Sequence, residues 1–382
     1  MENDNYKDYI RLTAIPEIGY ITAMRLINFF GSPTQVLSAT KDELMQVEKV
    51  GLRTATSIIE NKDKIDVEKI TQRMSALGAR YIHIGMPSYP SSLRKIPDQP
   101  IGFYAIGNFD FSMPCISIIG SRNCSVYGQI VARKFASALS RAGFAIVSGM
   151  ARGIDSCAHI GALEAGGKTV AVLGCGADVI YPPENAELYN RIISSGAIVS
   201  EFPLGTRADR QNFPIRNRIV AGLSIATLVV ESDIKGGSMI TARLAGEQGK
   251  DVFAIPGRID QASSRGCNAL IRDGVRLVTS PEDIIDELKF SGQLELSFNV
   301  PETKSGSKST TQKKVESEMP KINLSADESL IYQSLDACDG TDVDTILEKT
   351  QLPPHKCLPI LTMLELKKII VKDAGGKWRK RL

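Results

Sequence analysis

The residues best suited to chemistry in this chain are arginines and glycines placed at the ends of short apolar runs. Residues 116–119 end in Gly120-Ser121-Arg122, and residues 144–147 end in Ser148-Gly149, with Arg152-Gly153 close behind. A third cluster, Phe213-Pro214-Ile215-Arg216-Asn217-Arg218, reads as a polar turn before Ile219-Val220-Ala221. A fourth, Lys235-Gly236-Gly237-Ser238, follows the run 225–230, and a fifth, Ile255-Pro256-Gly257-Arg258, closes the run 251–255. Such turns suit phosphate. Glycine lets backbone N–H groups come close, a helix N-terminus adds partial positive charge, and a guanidinium offers a fork of donors. Arginine outweighs lysine here, which favours bidentate phosphate contacts and stacking on bases. The candidate binding residues are therefore Gly120, Ser121, Arg122, Ser148, Gly149, Arg152 and Gly153 from the first two turns. Phe213, Arg216, Asn217 and Arg218 come from the third, and Lys235, Gly236, Gly237 and Ser238 from the fourth.

Other chemistries find less support. Gly166-Gly167-Lys168-Thr169 resembles the end of a P-loop, but Ala162 stands where the first glycine belongs. The order there is helix into strand, whereas a phosphate loop runs from strand into helix. Gly174-Cys175-Gly176 follows an apolar run, yet Val179 replaces the third glycine of a dinucleotide fingerprint. The three histidines (83, 159 and 355) form no Ser-His-Asp set, and His159 reads as a capping or packing residue. Seven cysteines contain no C-x-x-C pair, so neither structural zinc nor another metal is expected. No cofactor and no catalytic residue are expected.

The elements that must position these turns are legible from periodicity. Continuous apolar runs at 116–119, 144–147, 169–173, 197–200, 225–230, 251–255 and 275–278 are mostly separated by helical patterns. Continuous rather than alternating apolarity means strands covered on both faces. The expected fold is α/β: a Rossmann-like, doubly wound, mostly parallel sheet with its ligand at the carboxyl ends of the strands. Residues 79–84 and 101–106 are expected to extend that sheet. Residues 79–290 thus form the expected DNA-binding domain. Residues 1–78 read as an N-terminal helical domain of the helix-hairpin-helix (SAM-like) kind, with two related units around Gly19 and Gly51. Such hairpins usually carry two glycines, and each unit here has one; DNA contact and protein contact both stay open. Residues 291–321, rich in serine, threonine, lysine and glutamate, read as a flexible linker. Residues 322–382 read as a C-terminal winged helix, with Trp378-Arg379-Lys380-Arg381 at its basic end. A net charge of +3 cannot mark a nucleic-acid binder, so local clustering of arginine must. No apolar run reaches the length of a membrane span, and the polar start lacks the core of a signal peptide. A cytoplasmic location is expected.

Taken with Tyr127-Gly128, Ile154-Asp155, Ala158-His159, Tyr181-Pro182 and Ser200-Glu201-Phe202-Pro203, the turns make the chain resemble the DNA processing protein A (DprA/Smf) family. The resemblance covers the whole α/β region. It implies a protein without catalytic activity that binds single-stranded DNA in natural transformation. It further implies protection of incoming strands, passage past single-strand-binding protein, loading of the RecA recombinase, and a homodimer formed through the α/β domains. One departure stands out. After Tyr181-Pro182 many relatives place a basic residue that helps hold DNA, whereas Pro183 and Glu184 follow here. An alternative is a nucleotide phosphoribohydrolase of the lysine-decarboxylase-like type, which shares the fold. Gly236-Gly237-Ser238-Met239-Ile240-Thr241 with Glu247 superficially fits it, although Lys235 occupies the place of the expected proline.

Overall fold

Residues 6–76 fold mostly as helices because their apolar positions recur every three to four residues. They are α1 (Tyr6–Ala14), α2 (Tyr20–Phe30), α3 (Pro33–Ser38), α4 (Lys41–Leu44), α5 (Leu52–Asn61) and α6 (Val67–Ala76). The computed structural model describes residues 6–290, 325–335, 340–367, 369–372 and 377–380; the linker expected at 291–321 lies outside them. The described residues fall into two compact units, one before residue 300 and one after it.

Both hairpins expected near Gly19 and Gly51 are present, and each glycine is the N-cap of the helix that follows, α2 or α5. The second glycine missing from each has a structural counterpart. Glu17 (φ 67°) and Lys49 (φ 63°), two residues before the respective glycines, adopt the left-handed conformation that glycine takes most cheaply. The hairpins lean on each other: Arg53 pairs with Glu17, and Ser57 Oγ donates to Pro16 O at 2.8 Å.

A nine-stranded mixed sheet follows. Its strands are β1 (Ala79–His83), β2 (Gly102–Gly107), β3 (Cys115–Ile119), β4 (Ala145–Ser148), β5 (Thr169–Val172), β6 (Ala197–Ser200), β7 (Ala226–Val229), β8 (Asp251–Ala254) and β9 (Arg276–Leu277). Their order is β1-β2-β6-β5-β4-β3-β7-β8-β9. The β1–β2 and β2–β6 pairs are antiparallel, and every pair from β6 to β9 is parallel. Every residue of β3 to β7 is buried, which is why these runs are mostly apolar. Their polar residues are hydrogen-bonded in place: the Ser117 and Thr227 hydroxyls lie 2.7 Å apart across β3 and β7, while Ser148, Thr169 and Ser200 donate to the carbonyls of Ile118, Ile146 and Cys175.

The connecting helices are α7 (Ser91–Arg94), α8 (Val126–Arg141), α9 (Ile154–Glu164), α10 (Ala186–Ser195), α11 (Asn212–Leu223), α12 (Gly237–Glu247), α13 (Arg265–Arg272) and α14 (Pro281–Phe290). Residues of α7, α11 and α12 share a core with inward residues of β2 to β8, among them Leu93, Val147, Val172, Ile219, Leu223 and Ala242. Residues of α8, α9 and α14 form another with β3, β4, β7 and β8. The third core joins α10 and the sheet to the N-terminal helices: Ile10, Leu26 and Ile58 belong to one cluster with Tyr81, Tyr104, Leu173 and Ile198. The N-terminal helices therefore pack on the sheet through α1 and α6, which meet β1, and Arg73 of α6 pairs with Asp178.

The later unit contains α15 (Ala326–Ser334), α16 (Val343–Thr350) and α17 (Pro354–Leu366), with β10 (Ile370–Lys372) antiparallel to β11 (Trp378–Lys380). Thr341 exchanges two backbone hydrogen bonds with Trp378, at 2.7 and 2.8 Å. Ile331, Ile346, Leu361, Ile370 and Trp378 share its small core. Three helices and a hairpin in this order make the winged helix.

Candidate nucleic-acid interface

The chain direction across the sheet creates the site. From β3 the chain moves outward through β4, β5 and β6, then returns to place β7 on the other side of β3. The loops leaving β3 and β7 diverge, and open sheets of this kind bind ligands in that crevice. A cavity of about 620 Å³ lies there. Its β3 side is Gly120, Ser121 and Arg122, and its β7 side is Gly236, Gly237 and Ser238. Gly149 enters from β4, and Phe213, Arg216 and Asn217 from α11. Ten of the fifteen expected residues thus meet around one space.

Phe213 forms the centre of the wall. Its ring lies 5.5 Å from that of Tyr181, tilted by 34°. The Arg122 guanidinium sits 5.4 Å from the Phe213 centroid and that of Arg216 sits 6.0 Å away. Cations at such distances are held by the ring quadrupole. The result is an aromatic surface on the cavity wall, bordered by two cations. Arg122 is exposed and has no acidic partner in an ion pair among the described residues. The N-termini of α11 and α12 also meet the cavity, and no side chain caps either helix.

Arg216 is 4% exposed and needs compensation for its buried charge. Burial pulls its pKa down to about 10, against the opposing pull of Asp155, so it stays protonated at neutral pH. Asp155, buried at the start of α9, has its own pKa raised by burial and held back by Arg216. The two side chains clamp the same peptide turn. Asp155 Oδ2 accepts from Gly149 N at 3.1 Å, while Arg216 Nη1 donates to Gly149 O at 2.9 Å. A Cβ at Gly149 would lie 2.5 Å from the guanidinium, so glycine is required by this close approach. Arg216 Nε donates to Asn217 Oδ1 at 3.3 Å.

Five expected residues do something else. Ser148 is fully buried and donates to Ile118 O at 2.6 Å, which ties β4 to β3. Gly153 (φ 77°) is a turn residue whose absent side chain leaves room for the Ser121 and Arg122 carbonyls. Lys235 borders a neighbouring apolar groove instead of the cavity. Arg152 lines a small side pocket beside Tyr181 and is paired with Glu184. Arg218 departs furthest from expectation. Its Nη2 donates to both Glu201 oxygens at 2.6 and 2.7 Å, and its guanidinium stacks 4.2 Å from the Tyr20 ring of the N-terminal helices. The reason is geometric. Residues 212–218 form the start of a helix, not a turn before one, and positions two apart on a helix face nearly opposite ways.

Tyr181, Arg210, Asp155 and Thr241 also line the cavity, beyond the residues expected from the sequence. Tyr181-Pro182 after a glycine-rich strand end was the available signal; Arg210 had none. The fifth expected turn, Pro256 to Arg258, does not line the cavity, and Arg258 pairs with Asp260 at 2.9 Å. Glu247 also lies away from it, 3.4 Å from Arg243 on the exposed face of α12. His159 is a core residue: its Nδ1 lies 2.7 Å from the Thr169 hydroxyl, which itself donates to Ile146 O. Among the described residues no group of His, Cys, Asp and Glu is arranged to take a metal ion.

The family profile described as DNA recombination-mediator protein A matches residues 80–289; a SAM-like helix-hairpin-helix tandem matches 9–61 and a DprA winged helix domain matches 315–376. A protein described as Smf from Synechocystis is 34% identical over 293 residues, covering 75% of this chain and 74% of that relative. The X-ray structure of DNA processing protein A from Streptococcus pneumoniae superposes with a TM-score of 0.67 at 33% identity, over 74% of this chain and 97% of that one. A structure of the Helicobacter pylori protein, described for its single-stranded DNA binding mode, gives 0.51 at 29% identity, over 57% and 98%. With a family profile spanning more than half of its length and a relative 34% identical over three quarters of both chains, the chain belongs to the DNA recombination-mediator protein A family.

Proposed function

We propose that this chain binds single-stranded DNA across the β3/β7 crevice, shields it, and passes it from single-strand-binding protein to the RecA recombinase in natural transformation. It does so as a cytoplasmic homodimer and without catalysing a reaction. The observation that carries the binding step is the Phe213 platform, with Tyr181 on it and Arg122 and Arg216 beside it. Stacking on aromatic rings tolerates any base but needs the base unpaired, so the site favours single strands over duplex. Arg122 and Arg216 hold the adjoining phosphates, and the N–H groups of Gly237 and Ser238 at the head of α12 add to them. The later steps, RecA loading and strand protection, rest on family membership. The hydrolase alternative is disfavoured, since Glu247 does not line the cavity.

Fluorescence anisotropy with a labelled oligothymidylate tests the binding step. Wild type binds the single strand more tightly than duplex, and affinity falls steeply with salt. Each phosphate contact removed lowers the salt slope by about 0.7 and costs about fivefold in affinity at 0.1 M salt. Arg122→Ala is expected to do both. Undiminished affinity in both Arg122→Ala and Arg216→Ala would sink the assignment.

A further inference from the structure

Arg152 stands in the turn after β4, next to Arg122 in the small pocket that also includes Tyr181 and Phe213. Its position would make it the next phosphate contact along the crevice. Yet its Nε donates to the Glu184 carboxylate, which comes from the loop after β5, 32 residues later.

The pairing is built in by the residues around it. Tyr181 and Pro182 of the same loop line the pocket. Glu184 lies in a 3-10 turn, Pro183–Asn185. The next side chain, Asn185, hooks that turn to the β4 turn. Its Nδ2 donates to Met150 O at 2.9 Å and to Ser156 Oγ at 2.9 Å. Glu184 is thereby held beside the turn that carries Arg152, while both charged groups remain about half exposed to solvent. The Arg152 hydrogen bond keeps the Glu184 carboxyl below its usual pKa, so it is ionised at neutral pH.

We propose that Glu184 is an affinity-setting residue, an intramolecular competitor that withholds Arg152 from the phosphate backbone of a bound strand. This rests on the crevice being the single-strand site. A carboxylate on the guanidinium takes up its Nε donor, offsets its charge and repels an arriving anion. The strand then engages Arg122 and Arg216 but not Arg152, and the site holds DNA less tightly than its arginines allow. Weaker holding suits a protein that must give its strand up.

The test uses the full chain, oligothymidylate and anisotropy over a series of salt concentrations, with thermal midpoints to confirm folding. Four proteins are compared: wild type, Glu184→Gln, Arg152→Ala and the double variant. Freeing Arg152 adds one phosphate contact. Glu184→Gln should therefore steepen the salt slope by about 0.7 and tighten binding about fivefold at 0.1 M salt. Arg152→Ala alone should leave the slope unchanged, and Glu184→Gln should gain nothing in the Arg152→Ala background. An unchanged Glu184→Gln overturns the proposal. So does a gain that persists without Arg152, which would mean only a general loss of negative charge. If Arg122→Ala and Arg216→Ala also leave binding intact, the crevice itself is wrong; if they weaken it while Glu184→Gln is silent, only the competitor is.

Discussion

Removing the Phe213 ring separates stacking from charge more cleanly than any other change in the crevice. The ring contacts Tyr181 on one side and approaches two guanidinium groups, but it makes no phosphate contact of its own. Loss of a base–aromatic stack costs roughly 1–3 kcal/mol per base, which corresponds to about 5- to 150-fold in Kd. Phe213→Ala should therefore weaken oligothymidylate binding within that range. Its salt slope should match wild type, because the count of neutralised phosphates has not changed. Phe213→Trp should restore most of the affinity. Phe213 sits in the first turn of α11 and is half-buried, so the sheet and its cores do not depend on it. Anisotropy over a salt series provides both readouts. Affinity equal to wild type would refute stacking on this ring. A loss accompanied by a flatter salt slope would show that the ring acts by positioning Arg122 and Arg216 and not by stacking.

Other outcomes follow from the buried groups. Arg218→Met leaves the largely covered Glu201 carboxylate, and Asp98 3.5 Å from the same guanidinium, without their partner; unfolding by urea should show a loss of about 3–5 kcal/mol, with partial recovery when Glu201→Gln is added. A variant as stable as wild type would show the pair to be dispensable. Burial pulls His159 down to about 3 and His83 to about 4, below the ordinary 6.5. The unfolded chain then binds protons that the folded chain refuses, so stability is complete above about pH 6.5 and declines as pH falls below it. The urea midpoint should be lower at about pH 5.5 than at about pH 7.5, and His159→Gln should flatten that difference; equal midpoints in wild type would refute it.

How far the sequence reveals the site depends on whether a feature is local. Strand ends and glycine turns are local, so Arg122, Gly149 and the Gly236-Gly237-Ser238 turn are found from the apolar runs alone. The start of α11 is masked by Pro214. Proline usually ends a helix, but it is tolerated in the first turn, where its missing N–H has no partner to lose. That misplacement turned two arginines on opposite helix faces into one cluster, and Arg218 went to Glu201 and Tyr20 instead. Tyr181 stacking on Phe213 and Glu184 pairing with Arg152 join residues distant in the chain, and no periodicity encodes them. Each hairpin was legible by its one glycine, while the left-handed backbone at Glu17 and Lys49 was hidden by residues that seldom adopt it.

The single core linking the N-terminal helices to the sheet has a practical consequence for dissecting the molecule. A fragment starting at residue 79 would not be a trimmed α/β domain. It would uncover the face of β1 that α1 and α6 pack on, with the core residue Tyr81 among its residues. It would also leave Asp178 without Arg73 and Arg218 without Tyr20. Such a fragment would be sticky for reasons unrelated to DNA, and weakened binding by it would say nothing about whether the hairpins touch nucleic acid. Their contribution is better measured by substitutions on their exposed side, such as at Lys49 or Leu52, with the shared core left whole.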